Sequence, residues 1–256
     1  MAGFNTVFKR VEVKYFIPKE KIDAFKRAVD PYMQLDDYGL TTIMNIYYDN
    51  EENDLLVRSL AKPKYKEKLR LRTYGIPGKD STAFIELKKK ADGIVYKRRA
   101  AMKLSEAERF LNEGIAPEEK TQIIREIEYF LSFYRPVPKT MIAYDREAYF
   151  GREDPTFRMT LDRRIRYRED DLVLSDGDRG TLLDKGGGYL LEIKVNGAMP
   201  LFMSRILTGL RIYPVSFSKV GKAYEIIHGG ETHKLMNVYG YERNNSTEIG
   251  GYALCS

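Results

Sequence analysis

Lys66-Glu67-Lys68-Leu69-Arg70-Leu71-Arg72-Thr73-Tyr74 alternates between two kinds of side chain. Residues two apart on an extended strand share a face. Lys66, Lys68, Arg70, Arg72 and Tyr74 therefore project to one side of a predicted strand. Gly75-Ile76-Pro77-Gly78 supplies turn residues, and Thr82–Lys90 returns as a second strand that aligns Glu86 with Lys88. Asp92-Gly93 marks a second turn, after which Ile94–Met102 places Lys97 beside Arg99. One strand with a charged face is ordinarily one that water wets. Successive strands that repeat arginine and lysine at matched positions call for a different explanation.

The same alternation recurs along the chain. In Phe8–Phe16, Arg10, Glu12 and Lys14 oppose Val11, Val13 and Tyr15. Thr41–Tyr48, Lys139–Phe150 with Arg146, and Tyr189–Val195 with Leu190, Glu192 and Lys194 read as further strands, and Thr156–Arg166 carries Arg158, Thr160 and Asp162 on one side. A helix with Ile22, Phe25 and Val29 as its apolar stripe is expected after Pro18, and a short one over Asn53–Leu60 carries Arg58. Ser105 and Glu108 have capping-box spacing, and another helix is expected over Lys120–Phe133. Asp176–Gly188 reads as a long loop, and Ser216 or Ser218 caps a last helix with Lys219, Lys222, Tyr224 and Ile227. No repeat or linker divides the chain, so the expectation is one domain over residues 1–228 and a polar tail over residues 229–256. The fold class is α+β: a closed antiparallel barrel of about eight strands, wide enough to hold one ligand, with helices covering its apolar outer face.

The basic faces would then line the interior. Lys14, Arg70, Arg72, Lys88, Lys97, Arg99, Arg146, Arg158 and Lys194 share it with few carboxylates, namely Glu12, Glu86 and Glu192. So many buried cations repel one another unless an anion fills the space. Phosphate chains meet that demand, because arginine binds phosphate oxygens in a bidentate fork and lysine adds a compact point charge. Beside a polyanion, a carboxylate makes sense as a ligand of Mg²⁺ or Mn²⁺ or as the salt-bridge partner of a neighbouring arginine. Both roles stay open for Glu86 and Glu192.

Composition excludes several classes. The 256 residues carry a net charge of +6, and 43% are hydrophobic. No apolar run approaches the roughly 20 residues that span a bilayer, and Met1–Arg10 lacks a signal-peptide core. Cys255 is the only cysteine, which rules out an intrachain disulfide and a four-thiolate zinc site and points to a reducing, cytoplasmic setting. Gly75-Ile76-Pro77-Gly78-Lys79 has neither the spacing nor the Ser/Thr of a P-loop. No RNP-like aromatic motif argues for nucleic acid. The run Arg163, Arg164, Arg166, Arg168 reads as a solvated basic edge strand, and His228 and His233 as solvated side chains.

An ordered set of short motifs carries a resemblance. It comprises Lys14-Tyr15-Phe16, Arg58, Arg70-Leu71-Arg72 with Tyr74-Gly75, Glu86-Leu87-Lys88, and Lys97–Arg99. Tyr144–Arg146, Arg158-Met159-Thr160-Leu161-Asp162, Leu191-Glu192-Ile193-Lys194 and Phe217-Ser218-Lys219 complete it. From Lys9 to Tyr224 the chain resembles the VTC domain, the polyphosphate-polymerising branch of the CYTH/triphosphate tunnel metalloenzymes. The resemblance implies a metal-dependent phosphotransferase with ATP and inorganic polyphosphate as partners; a triphosphatase or a non-catalytic binding module are the rival readings. Lys14, Arg58, Arg70, Arg72, Lys88, Lys97, Arg146, Arg158 and Lys219 match its phosphate-binding positions, and Glu192 matches its metal-binding glutamate. Arg99, Lys194 and Lys222 are added as phosphate-binding candidates, and Glu86 and Glu12 as metal candidates. One position departs: the family often has a lysine where this chain has Ser216, and Lys222, one helical turn beyond Lys219, is the candidate replacement. The lack of a long apolar run predicts no transmembrane segment and leaves room for a membrane partner, and no nucleic-acid partner is expected.

Overall fold

The computed structural model describes residues 10–61, 63–92 and 94–238. Lys9, Gly93 and the tail from residue 239, with Cys255, lie outside the described residues, as does the side chain of His233. Strands β1 (Arg10–Ile17), β2 (Met33–Asp49), β3 (Tyr65–Tyr74), β4 (Thr82–Ala91), β5 (Ile94–Lys103), β6 (Val137–Gly151), β7 (Arg158–Arg168), β8 (Thr181–Leu182) and β9 (Tyr189–Asn196) form one antiparallel sheet. The helices are α1 (Ile22–Val29), α2 (Asp54–Leu60), α3 (Leu104–Glu113), α4 (Gln122–Tyr134), α5 (Leu201–Gly209) and α6 (Lys219–Val238). Among the described residues, no helix is long and apolar enough to cross a membrane.

The strands run in the order β1-β9-β7-β6-β2-β3-β4-β5, with β8 against β7. Expected as a closed barrel, the sheet is open, because no ladder joins β1 to β5 among the described residues. The free edge of β1 is already engaged. The Val215 N–H donates to the Lys14 carbonyl at 2.7 Å, and Pro214 makes an isolated bridge to Tyr15. The sheet nevertheless curls strongly. Lys14 of β1 donates to the Phe217 carbonyl at 2.9 Å, and Lys68 of β3 donates to the Ser218 hydroxyl at 3.4 Å. Five strand spacings in a flat sheet amount to about 24 Å, yet both strands reach consecutive residues.

The outer face carries the two larger cores. Leu69, Leu71, Ile85 and Leu87 pack beneath Phe110 of α3 and Ile127 and Phe130 of α4. Tyr15, Met159, Leu161, Leu191 and Ile193 pack beneath Phe25 of α1 and Met203 of α5. A smaller cluster lies on the concave side, where Leu56 and Val57 of α2 and Val220, Ala223 and Tyr224 of α6 meet Ile43, Ile142 and Tyr144.

Other local expectations change in detail. α3 starts at Leu104, not at a capping box, and makes no side-chain cap. Its first N–H groups find backbone partners instead, Leu104 donating to Ser81 at 2.9 Å and Ser105 to Lys79 at 3.1 Å. α6 continues past a non-helical His228 into the stretch read as a polar tail, and His228 lies 3.4 Å from a Glu169 oxygen instead of standing free in water.

Candidate functional site: a concave face lined by cations

Register places the charged residues in rows across the sheet. Arg70 pairs with Glu86 across β3–β4, and Glu86 pairs with Arg99 across β4–β5. The Glu86 carboxylate is only 1% exposed. It accepts from Arg70 Nε at 2.8 Å and from Arg99 Nε at 2.7 Å, with Lys97 Nζ at 2.8 Å and Arg72 Nη1 at 3.8 Å. Burial would raise its pKa, but Arg70, Arg72 and Lys97 hold it well below the usual carboxylate range. Arg70 also donates to Tyr47 Oη at 3.0 Å, and Arg72 to Asn45 Oδ1 at 2.8 Å. The guanidinium planes are thus fixed from two sides.

A second carboxylate does similar work on the opposite wall. Asp162 of β7, fully buried, accepts from Arg146 Nε at 2.6 Å and Nη2 at 2.8 Å, and lies 2.6 Å from Lys219 Nζ. Burial raises the pKa of Asp162 and those two cations more than offset it, so the carboxyl stays ionised. The Tyr144 ring lies against both cations, with its centroid 5.1 Å from Arg146 Cζ and 4.5 Å from Lys219 Nζ. Asp162 was visible as a neighbour of Arg158 and Thr160 in the alternation. Its role was not, since Lys219 comes from a helix.

Between β1 and β9 the charges alternate, Lys14 facing Glu192 and Glu12 facing Lys194. Glu192 lies 2.9 Å from Lys194 Nζ, and Glu12 lies 3.7 Å from Lys14 Nζ. Burial opposes ionisation of Glu192, but Lys194, Lys14 and Lys219 lower its pKa strongly. At the other end of the sheet Lys68 faces Lys88, which faces Lys97. Among the described residues, neither Lys68 nor Lys88 has a carboxylate within ion-pair distance, and the same is true of Arg158.

Residues 9–228 match the family model of the VTC domain. The chain belongs to that family. No curated protein sequence matches it. Among solved structures, it is similar to a candidate adenylate cyclase of Bacillus halodurans, with 13% identity, coverage of 82% of this chain and 93% of that one, and a TM-score of 0.52. It is also similar to a candidate adenylyl cyclase of Hippeastrum described as having a dominant triphosphatase activity. There the identity is 14%, the coverage 83% and 93%, and the TM-score 0.51. At that identity the likeness concerns the fold, an α+β arrangement of the triphosphate-tunnel type.

Most site candidates of this VTC domain converge on the concave face. Lys14, Arg70, Arg72, Lys88, Lys97, Arg99, Arg146, Arg158, Lys194 and Lys219 reach it from β1, β3, β4, β5, β6, β7, β9 and α6. Two do not join them. Arg58 is exposed on α2, where its charge acts on Tyr134 of the outer helix α4. Lys222 is exposed and lies 3.4 Å from Glu225.

The basic run on β7 is not an edge, and while Arg164 is exposed as expected, Arg166 and Arg168 are not solvated. β7 lies between β6 and β9, and Arg166 and Arg168 are each 4% exposed. A bulge opposite Ala143–Asp145, with Arg164 at φ 47°, reverses the alternation. Arg166 and Arg168 then pair with Ala143 and Met141 of the outer face. There Arg166 pairs with Asp145 at 2.9 Å and with Asp178, and Arg168 donates to the carbonyls of Asp171, Val173, Gly177 and Arg179. The loop expected over Asp176–Gly188 is pinned by these bonds.

No group of three or more Asp, Glu, His or Cys side chains is arranged to hold a metal among the described residues. Both Glu86 oxygens are occupied by cations. Glu192 and Glu12 are diagonal neighbours on adjacent strands and present hard oxygens. That donor set fits Mg²⁺ or Mn²⁺ of the kind held by one or two carboxylates together with substrate phosphates.

Proposed function

We propose that this VTC domain transfers the terminal phosphoryl group of ATP to a growing inorganic polyphosphate chain on its concave face. The state of the carboxylates supports this reading best. Glu86, Asp162 and Glu192 are all engaged by cations, leaving the half-exposed Glu12 as the least committed acid. Hydrolysis needs a water oriented by a proton acceptor. A phosphate acceptor is already anionic near neutral pH and needs none.

Phosphoryl transfer asks the protein for positioning and charge stabilisation more than for covalent chemistry. Arg70, Arg72 and Arg99, set by Glu86, and Arg146 and Lys219, set by Asp162, grip the triphosphate from two walls. Lys14, Lys88 and Arg158 complete the anion site. An oxygen of the acceptor chain's terminal phosphate attacks the γ-phosphorus in line. The bond from that phosphorus to the β–γ bridging oxygen breaks, ADP leaves, and the chain is one phosphate longer. Glu192 and Glu12 would hold a divalent cation, which would supply further charge compensation at the phosphate oxygens.

Triphosphate hydrolysis is the second reading. The partial exposure of Glu12 and the triphosphatase activity described for the Hippeastrum protein favour it. Incubation with ATP and Mn²⁺, resolved by gel and by free-phosphate release, separates the two. Long chains with ADP are expected; free phosphate alone establishes hydrolysis, and tight binding without turnover leaves a binding module. Arg70→Ala with Arg72→Ala should abolish every one of these behaviours. Nucleotide or polyphosphate binding that survived the double change would overturn the assignment of the concave face.

A further inference from the structure

α4 departs from the usual pattern of a helix lying on a sheet. Ile124, Ile127 and Phe130 face inward, as the core requires. The opposite face carries Tyr129 and Phe133, 66% and 65% exposed and stacked with ring centroids 5.9 Å apart. Polar side chains ordinarily occupy that face. The sheet beneath continues the patch. Tyr65 pairs with Ala91, which pairs with Ile94, and Glu67 pairs with Lys89, which pairs with Tyr96. By strand alternation Tyr65, Ile94 and Tyr96 therefore stand on the outer face, and all three are half-exposed. Tyr134 ties the two layers together: its ring centroid lies 4.8 Å from that of Phe133, and its hydroxyl donates to Glu67 at 2.8 Å. Glu67 also bonds the Tyr65 hydroxyl. A contiguous exposed patch of this kind marks a contact with protein or membrane.

The charges around the patch decide between those contacts. Lys64 adjoins Tyr65, Arg125 lies one helical turn before Tyr129, Arg135 follows Tyr134, and Lys89 and Arg98 share the outer face with Tyr96. Of the carboxylates nearby, Glu67 is buried, Glu126 pairs with Arg98 at 3.2 Å and Glu128 with Lys120 at 2.8 Å, which leaves Asp92 of the β4–β5 turn. Lys64, Arg125 and Arg135 are exposed, and among the described residues none has a carboxylate within ion-pair distance. A second copy would set this positive rim against itself. Lysine is also depleted where proteins meet proteins. Tyrosine and phenylalanine flanked by lysine and arginine suit the boundary of an anionic bilayer instead. The rings enter the headgroup region while the cationic ends reach lipid phosphates and carboxylates. We propose that this outer face, built from α4 and the starts of β3 and β5, docks the protein peripherally on an anionic lipid surface. Tyr129 and Phe133 are its anchors, and Tyr65, Ile94 and Tyr96 widen the contact. The concave face lies on the other side of the same strands, so docking leaves it uncovered and is independent of its chemistry.

The chain contains no tryptophan, so Phe133→Trp supplies a unique reporter. Vesicles of phosphatidylcholine with phosphatidylserine should shift its emission to the blue, and brominated lipid chains should quench it. Phosphatidylcholine alone, or soluble glycerophosphoserine, should do neither. In co-sedimentation with the phosphatidylserine vesicles, Tyr129→Ser/Phe133→Ser should lose on the order of tenfold in partitioning, the scale of two aromatic rings that no longer leave water. Its melting temperature should stay near that of the wild type, because both rings lie mostly outside the core; if it melts early, the tryptophan emission still decides. Saturating tripolyphosphate should leave vesicle binding by the wild type intact. Vesicle binding that tripolyphosphate abolishes would assign the lipid contact to the concave cations and overturn the docking face. Absence of vesicle binding by the wild type, or binding that survives the double change, would overturn it too. Blue-shifted tryptophan emission without lipid, together with a dimer in analytical ultracentrifugation, would overturn it in favour of a second copy of the chain.

Discussion

Glu86→Gln tests whether a buried carboxylate in a phosphate-binding face acts as counter-ion or as metal ligand. The substitution keeps the shape and removes one charge from beneath Arg70, Arg72, Lys97 and Arg99. Arg70 is 22% exposed and its bond to Glu86 is largely shielded, so its loss is worth about 2 kcal/mol on the scale of charge-assisted hydrogen bonds. Lys97 and Arg99, at 44% and 36%, are exposed enough for solvent to screen them, and each adds roughly 0.5 kcal/mol. A total near 3 kcal/mol is a large part of the roughly 5–15 kcal/mol that holds a domain together. Urea unfolding at neutral pH measures it.

The same experiment with saturating tripolyphosphate supplies the discriminating result. The ligand brings negative charge to the stranded cations, so the deficit should shrink, and affinity should hold or rise because a repelling carboxylate has gone. Acid gives a further check. The Glu86 pKa is depressed in the fold, so its stabilisation is present above the ordinary carboxylate range, near 4.3, and fades as pH falls below it. The gap between wild type and variant should narrow in that window. An unchanged urea midpoint, combined with loss of Mn²⁺ dependence, would refute the counter-ion assignment and make Glu86 a metal ligand.

Asp162→Asn should cost about 3 kcal/mol by the same logic of an interrupted buried pair. Unlike Glu86→Gln, it should weaken tripolyphosphate binding in calorimetry, because it frees Lys219 and with it the start of α6. Glu192→Gln should raise the Mn²⁺ concentration needed for turnover while leaving metal-free tripolyphosphate binding equal or tighter, as a metal titration of activity would record. The pH dependence should have opposite signs for stability and affinity. Burial raises the Tyr47 pKa, but Arg70, Arg72 and Lys68 bring it to about 8, and that of Lys68 is also about 8. Both lie below their unfolded values, so the unliganded protein should grow more stable as pH rises through that range. Tripolyphosphate affinity should fall over the same range, since each lost proton makes the face less positive.

The basic face was legible because its information is local. Strand alternation and the Gly75–Gly78 and Asp92 turns determine the β3–β4–β5 register, and that register alone puts Glu86 between Arg70 and Arg99. What escaped depends on contacts distant in sequence or on one irregular residue. Whether the sheet closes turns on Val215 reaching the edge of β1 before β5 does. Arg166 and Arg168 repeat the alternation of Arg158, Thr160 and Asp162, and only the left-handed Arg164 turns them to the outer face. α5 went unread although Pro200 precedes it and Met203 and Leu207 form its buried stripe. A helix of Leu201–Gly209 offers too few turns for its period to stand out against neighbouring strands.

The position of Ser216 shows how such distant contacts alter a judgement made along one segment. In sequence, the lysine that the family often carries there has no nearby substitute except Lys222. In the fold, Lys222 is exposed and faces Glu225, so proximity along α6 does not bring its charge to the site. Ser216 stands between Val215 and Phe217, whose backbone groups both bond to Lys14. The ammonium that approaches this segment from the far wall is that of Lys68, 3.4 Å from the Ser218 hydroxyl. Electrostatic complementarity depends on where charge arrives, not on which element delivers it. The curl of the sheet can therefore supply from β3 what the α6 segment lacks. A family pattern read one segment at a time then overstates the departure at Ser216.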